Sequence, residues 1–367
     1  MNSSANTPIA DKLGPMRLLP ARSVTILVAT DGSETSQAAY AAAELIAASC
    51  SARVHVLSVL EPLPAIVPPP GTPIVTTGID RSREDALRTD MVEQLLKLGR
   101  LAKWTTEIHL GKPPTVIAQV AKERNADLII VGTSRHGMVD RLLGKETATH
   151  LARLVKRPLL VASPSIARLP ERVIVALDLA PADRLALVFV LGILGSPESV
   201  SVLHVESRSE ALGVDWAEFD AEHRAEVEKA FREMNAALVS LPRIQPELVV
   251  MHGEVAREIN QFAESVKAEM IVLDVKPRGG FSIAADGGIA MRVMRAARCS
   301  VLLIPKTDNT LAISTLRGTV EGTGRRYRAA VPKPTVTDVA VASNAHARDP
   351  SLLEESFVAR ESPFFVS

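Results

Sequence analysis

The chain of 367 residues is long enough for two to three domains of ~150 residues. Its 42 lysines and arginines balance 42 aspartates and glutamates, which removes the broad electrostatic case for nucleic acid or an acidic membrane as partner. Hydrophobic residues make up 47% but aromatics only 3%, so the cores must be built from Val, Leu, Ile and Ala, as suits α/β layers whose buried parallel strands read as unbroken aliphatic runs.

The first β-rich run is Val24 to Thr30, and it stops at Asp31-Gly32-Ser33. Strong helix formers follow from Thr35 to Ala48, with Ser33 or Thr35 available as N-cap. Val54 to Leu60 reads as a second strand; the segment from Glu61 to Gly78, with six prolines, reads as a long loop. Asp80 to Leu101 carries Ala86, Leu87, Met91, Leu95, Leu98 and Leu101 on roughly one helical face. Glu107 to Leu110 is a short third strand, after which Pro113 and Pro114 open a helix in the manner of proline in a first turn. Leu128 to Val131, Glu146 to Val155 and Pro158 to Ala162 complete a strand, helix, strand series. Strands alternating with helices imply a parallel sheet wound by right-handed crossovers.

The same order returns at Arg172 to Leu177, Ala182 to Leu194, Val200 to Val205, Trp216 to Ser240, Glu247 to Val250, Ala256 to Lys267, Met270 to Leu273, Gly288 to Ala297 and Val301 to Ile304. Gly111 and Gly253, Asp127 and Glu269, Pro158 and Ser300 are each 142 positions apart. A period of that length is one globular domain per copy and not a solenoid unit. The fold class that follows is α/β: two tandem open, mostly parallel five-stranded sheets with helices on both faces, Rossmann-like in the manner of the adenine-nucleotide α-hydrolases. The expected divisions are a flexible start at 1–21, a first repeat at 22–163, a linker at 164–170, a degenerate second repeat at 171–305, and a mostly disordered tail at 306–367 without a defensible helix or strand. Phe357, Phe364 and Phe365 in that tail are a random apolar scatter or a hydrophobic hook for a partner.

Cys50 and Cys299 lie in different repeats with no second thiol nearby, so neither a disulfide framework nor a cysteine metal site is expected. Residues 1–21 lack a signal-peptide core and no apolar run of ~18 residues occurs, so the expectation is a cytoplasmic protein without a membrane partner.

In an open parallel sheet the ligand crevice lies beyond the carboxyl ends of the strands, where the winding reverses. Those ends carry Asp31-Gly32-Ser33, Val59-Leu60-Glu61 and Gly132-Thr133-Ser134-Arg135, and Gly144-Lys145-Glu146-Thr147 opens the following helix. Backbone N–H groups at that helix start, beside Lys145, suit a phosphate, and Gly132 and Gly144 let backbone approach an anion closely. Asp31 suits an adenine amino group or a ribose hydroxyl. Capping of the turn explains Asp31 and Ser33 equally well, and Arg135 and Lys145 also read as solvated surface charges.

The runs I-L-V-A-T-D-G-S (Ile26 to Ser33), G-K-P-P-T-V-I-A (Gly111 to Ala118), A-D-L-I-I-V-G-T (Ala126 to Thr133) and R-L-L-G-K-E-T-A (Arg141 to Ala148) resemble a universal stress protein domain. The resemblance covers residues 22–163 well and 171–305 more faintly, giving a tandem form with an added tail. Members that bind ATP carry Gly-x2-Gly-x9-Gly-Ser/Thr around the phosphates. Here Gly132 matches the first glycine, Arg135 replaces the second, the spacer is one residue short, and Lys145 follows Gly144. The resemblance implies Asp31 and the Val59 backbone on the adenine side and Gly132, Thr133, Gly144 and Lys145 on the phosphate side, with Gly32 and Ser33 of the first turn also among the nucleotide-binding residues. Gly137 stands in for the lost glycine, Thr147 for the hydroxyl, and Arg135 and Lys145 neutralise phosphate by another route. The ligand implied is ATP or another adenine nucleotide.

In the second repeat Asp178 keeps the acidic position, but Leu179-Ala180 replaces Gly-Ser and Asp286-Gly287-Gly288 precedes the last helix, so this copy is expected to be a structural partner without nucleotide. Family domains pair through the last strand, which marks Pro158 to Ala162 and Val301 to Ile304 for contact between the repeats, with homodimers and unidentified protein partners as further expectations. No nucleophile, paired-carboxylate or metal spacing is present, so the reading is a stress-response binding module, not an enzyme beyond weak incidental ATP hydrolysis. The competing reading is a nucleotide-independent interaction protein with a vestigial pocket.

Overall fold

The computed structural model describes residues 23–33, 36–62, 81–100, 102–132, 147–179, 184–194, 197–206, 216–236, 245–275, 288–305 and 336–338. The first half runs β1 (Thr25–Thr30), α1 (Gln37–Cys50), β2 (Arg53–Leu60), α2 (Arg81–Lys97), β3 (Thr105–Leu110), α3 (Pro113–Glu123), β4 (Leu128–Gly132), α4 (residues 147–154) and β5 (Leu159–Ala162). The second runs β6 (Arg172–Ala176), α5 (Arg184–Leu194), β7 (Ser199–Glu206), α6 (Trp216–Ala236), β8 (Glu247–His252), α7 (Val255–Ser265), β9 (Met270–Val275), α8 (Ile289–Ala296) and β10 (Ser300–Pro305). The expected alternation holds throughout, with Pro113 and Pro114 in the first turn of α3.

With β11 (Val336–Asp338) at one edge, the strand order is β11-β8-β7-β6-β9-β10-β5-β4-β1-β2-β3. Each half therefore has its own β3-β2-β1-β4-β5 arrangement of parallel strands, and the two expected five-stranded sheets are fused into one. The joint is β5 against β10, antiparallel, with Leu160 opposite Leu302. The Ser163 N–H donates to Ser300 Oγ at 3.1 Å beside it, and the Ser49 hydroxyl of α1 donates to the Ile193 carbonyl of α5 at 2.6 Å. Alternate side chains of the strands feed two aliphatic cores. One holds Ile26, Val28, Val56 and Leu302 under α1, α2, α5 and α6; the other holds Leu27, Leu57, Ile129 and Leu303 under α3, α4, α7 and α8. Both layers run across the joint, so the halves share their cores.

The duplication is visible in backbone demands as well as sequence. Gly111 and Gly253 adopt φ of +148° and +146° at the β3–α3 and β8–α7 turns, a region closed to side-chain-bearing residues. Asn125 and Lys267 take φ of 50° and 52° at the ends of α3 and α7. Asp127 Oδ2 accepts the Thr25 N–H at 2.9 Å, and Glu269 Oε2 accepts the Glu171 and Arg172 N–H groups at 2.7 and 3.2 Å. In each copy a carboxylate thus ties the start of one central strand to its neighbour.

Two expectations are corrected. The N-cap of α1 is Ser36, not Ser33 or Thr35; its hydroxyl makes no capping bond and donates instead to the Ser33 carbonyl at 2.6 Å. The tail does contain a strand: β11 (Val336–Asp338) pairs parallel with β8, Val336 opposite Leu248. The exposed backbone row of an edge strand recruits extended segments, and Val and Thr suit that geometry. Phe357, Phe364 and Phe365 lie outside the described residues. Among the described residues no helix is long and apolar enough to cross a membrane.

Candidate functional site

The winding of the first half reverses between β1 and β4, which lie side by side with Ala29 opposite Val131. The carboxyl ends of β1, β2 and β4 therefore bring Asp31, Val59 and Gly132 to one end of the sheet, as expected for a crevice at a switch point. Asp31 is exposed, and its Oδ1 accepts from the N–H of Ser33 at 3.0 Å and from the Ser33 hydroxyl. That carboxylate oxygen stabilises the turn after β1 and does not cap α1. Gly32 holds φ +78°, and a Cβ there would meet Asp90 Oδ2 and Leu87 Cδ2 of α2 at 3.1 Å. Val59 is half-buried on the α3 side, Gly132 half-buried at the end of β4, and Thr147 half-buried as the first residue of α4. Thr133, Arg135, Gly144 and Lys145, together with Gly137, lie outside the described residues.

Behind the Asp31 turn the structure adds a polar group that the sequence reading missed. Thr30 Oγ1 donates to Ser36 Oγ at 2.9 Å and accepts the Gly32 N–H at 3.1 Å. Ser58 stands opposite Thr30 across the β1–β2 ladder and is fully buried, with no partner for its hydroxyl. Tyr40 of α1, stacked on Trp104 with centroids 6.5 Å apart, also buries a hydroxyl without a well-formed hydrogen bond. Burial pushes its phenol up to about 12, against a small opposing pull from Thr30. Threonines and serines at strand ends carry no distinctive spacing, which is why only the fold reveals this cluster.

The second half fills the same places differently. Counting from the matching strand starts Thr25 and Arg172, Thr30 corresponds to Leu177, Asp31 to Asp178 and Gly32 to Leu179. Leu177 is fully buried, and Leu179 keeps the left-handed turn at φ 59° while burying its side chain in the core. Gly132 corresponds to Asp274, which is 2% exposed. A buried aspartate stands where the first half has Gly132, and leucines replace the hydroxyl and the glycine of the turn.

Beside the first crevice an open cleft of ≈ 670 Å³ lies between the end of β2, the β3–α3 turn and α4. Its walls include Glu61, Pro62, Lys112, Pro113, Pro114, Thr147, His150 and Arg153. Of the expected site residues that are among the described residues, only Thr147 lines it. Both cysteines are free, and burial pushes the Cys299 thiol up to about 11, which makes it a poor nucleophile. Among the described residues no group of three or more His, Cys, Asp or Glu side chains could hold a metal ion.

Residues 24–163 and 170–305 each match the Universal stress protein family. A universal stress protein of Mycolicibacterium smegmatis is 25% identical over 302 residues, covering 76% of this chain and 96% of the relative. One of Thermus aquaticus is 32% identical over 124 residues, covering 34% of this chain and 87% of the relative. The crystal structure of a universal stress protein from Archaeoglobus fulgidus superimposes with a TM-score of 0.52 at 18% identity, covering 78% of this chain and 97% of that one. A functionally unknown protein from Pseudomonas aeruginosa does so with a TM-score of 0.54 at 17% identity, covering 77% and 92%. Two consecutive matches over a duplicated, doubly covered parallel sheet place this chain in the universal stress protein family, in its tandem two-repeat form.

Proposed function

We propose that the chain is a stress-response binding and regulatory module whose first half takes one molecule of ATP or another adenine nucleotide, the second half acting as its structural partner. The observation that carries this reading is the asymmetry between the two switch points. The first offers Thr30, Asp31, Gly32 and Gly132; the second presents Leu177, Asp178, Leu179 and Asp274 at the same places. An anion meets backbone and small residues in one half, and a buried acid in the other.

In this reading Asp31 exchanges its bond to Ser33 for one to the adenine amino group, and the Val59 backbone contacts the base. Gly132, Thr133 and Gly144 admit the phosphates, Arg135 and Lys145 neutralise them, and Thr147 supplies a hydroxyl at the start of α4. The module binds without turnover beyond incidental hydrolysis, and its two free thiols support a reducing, cytoplasmic setting.

Calorimetric titration of ATP and AMP into the purified chain tests the reading. One nucleotide per chain is expected, with binding abolished by Asp31→Ala and by Gly144→Glu. Absence of heat with either nucleotide, and absence of nucleotide from protein denatured straight from cells, would refute it and favour a nucleotide-independent interaction protein.

A further inference from the structure

The duplication places a groove between the first turns of α3 and α4 in one half and of α7 and α8 in the other. The same two positions line it each time. In the second half they are Glu254, the N-cap of α7, and Arg292, the fourth residue of α8. The Arg292 Nη1 reaches Glu254 Oε1 at 2.7 Å and ties the two helices together across the groove. Glu254 also caps α7, accepting the Ala256 and Arg257 N–H groups at 3.1 and 2.9 Å.

In the first half the N-cap of α3 is Lys112, whose side chain makes no capping bond, and the fourth residue of α4 is His150. Two basic groups cannot form the tie, and here the groove is the ≈ 670 Å³ cleft. Lys112 sets a cation at a helix N-terminus, the end that favours negative charge. Arg153 follows one turn after His150 on the same face of α4, and among the described residues Glu61 is the one carboxylate on the lining. A local rule is broken where the open space is, the pattern expected of a binding site.

The geometry points to a second ligand site in this cleft, for a small molecule carrying a phosphoryl group on a compact apolar body. Lys112, His150 and Arg153 hold the phosphoryl dianion from two sides. Pro62, Pro113, Pro114 and Leu154 offer apolar surface to the rest of the molecule. The volume falls within the range of small-molecule pockets, roughly 300–1,000 Å³. Asp31, Gly32, Ser33, Val59 and Gly132 do not line the cleft, and Thr147, at the start of α4, is the described residue it shares with the proposed adenine crevice, so the two ligands would lie side by side.

Titration of the full chain with phenyl phosphate and with inorganic phosphate, by calorimetry, tests the assignment. Phenyl phosphate should bind about tenfold more tightly than inorganic phosphate, because only it uses the proline walls, and it should bind equally with ATP present in excess. The double variant Lys112→Glu/His150→Arg installs the pair that the second half already uses, so far-UV circular dichroism should show a folded chain; phenyl phosphate affinity should fall at least tenfold. Arg153→Gln, on an exposed face of α4, should weaken binding about threefold or more. Lack of binding to the wild type, unchanged affinity in both variants, or full displacement by ATP would each overturn the assignment. Failure of ATP to bind while phenyl phosphate does would instead count against the adenine reading alone.

Discussion

Gly111→Ala is the most exacting test of the reasoning, because its cost has two separable parts. At φ +148° an alanine is held in a conformation that costs on the order of 1–3 kcal/mol. Its Cβ would also lie 2.7 Å from Val116 Cγ2, and a β-branched side chain in a helix cannot rotate away freely. Overpacking of this kind adds roughly 1–3 kcal/mol. A total of about 3 kcal/mol should lower the melting temperature by roughly 6–12 °C in a unit of this size. Urea unfolding of Gly111→Ala, Val116→Ala and the double variant separates the parts, since Val116→Ala removes the clashing methyl but not the strain. A favourable coupling of about 1 kcal/mol is expected. A cost below about 1 kcal/mol for Gly111→Ala, or no coupling, would show that the turn relaxes and that its glycine is incidental. Because Lys112 follows Gly111 directly, the same variant should also weaken phenyl phosphate binding.

Other consequences are open to measurement. Leu302 is fully buried at the joint, so Leu302→Ala should cost about 3 kcal/mol and hasten proteolysis within residues 164–170; a loss under about 1 kcal/mol would mean that the halves do not depend on each other. The Tyr40 phenol is raised from its ordinary 10.0 to about 12, first by burial. Its protonated form therefore contributes stability that is complete below pH 10 and is lost as pH rises toward about 12. An absorbance titration should show one tyrosine ionising late, and Tyr40→Phe should remove that step at a cost under about 1 kcal/mol, since the hydroxyl has no well-formed bond to lose. Glu269 sits lower than its ordinary 4.5: burial would raise it, but the N–H groups of Glu171 and Arg172 and the Arg168 guanidinium outweigh that. Its contribution is complete above that value and fades as pH falls below it, so Glu269→Gln should flatten the acid limb of the melting-temperature profile, below pH 4.5.

The architecture was readable because the strands are short aliphatic runs bounded by Gly, Pro and Asp, and because the repeat aligns Gly111 with Gly253 and Asp127 with Glu269. Each of these residues answers a backbone demand, and such demands survive divergence of the surface. Pairing of the last strands followed from the family resemblance, and the β5–β10 ladder shows it. The site was less legible. Asp31, Val59 and Gly132 could be placed from strand ends alone, but Thr30, Tyr40 and Ser58 gather only through the β1–β2 register and the seat of α1. The exchange of Glu254 and Arg292 for Lys112 and His150 is plain in the letters and meaningless until α7 and α8 are seen tied across a groove. β11 is not legible in the letters because it depends on the edge that β8 leaves unpaired.

The β5–β10 joint also decides how unlike the two halves can become. When identical subunits assemble by their terminal strands, any substitution is presented on both sides of the axis, so a residue that seals one crevice seals the other. Here the partner is supplied by the same polypeptide at a local concentration that dilution cannot lower. A leucine at 179 or an aspartate at 274 therefore changes one half and leaves its companion untouched. Covalent tethering lets a pair built on one plan carry two different switch points.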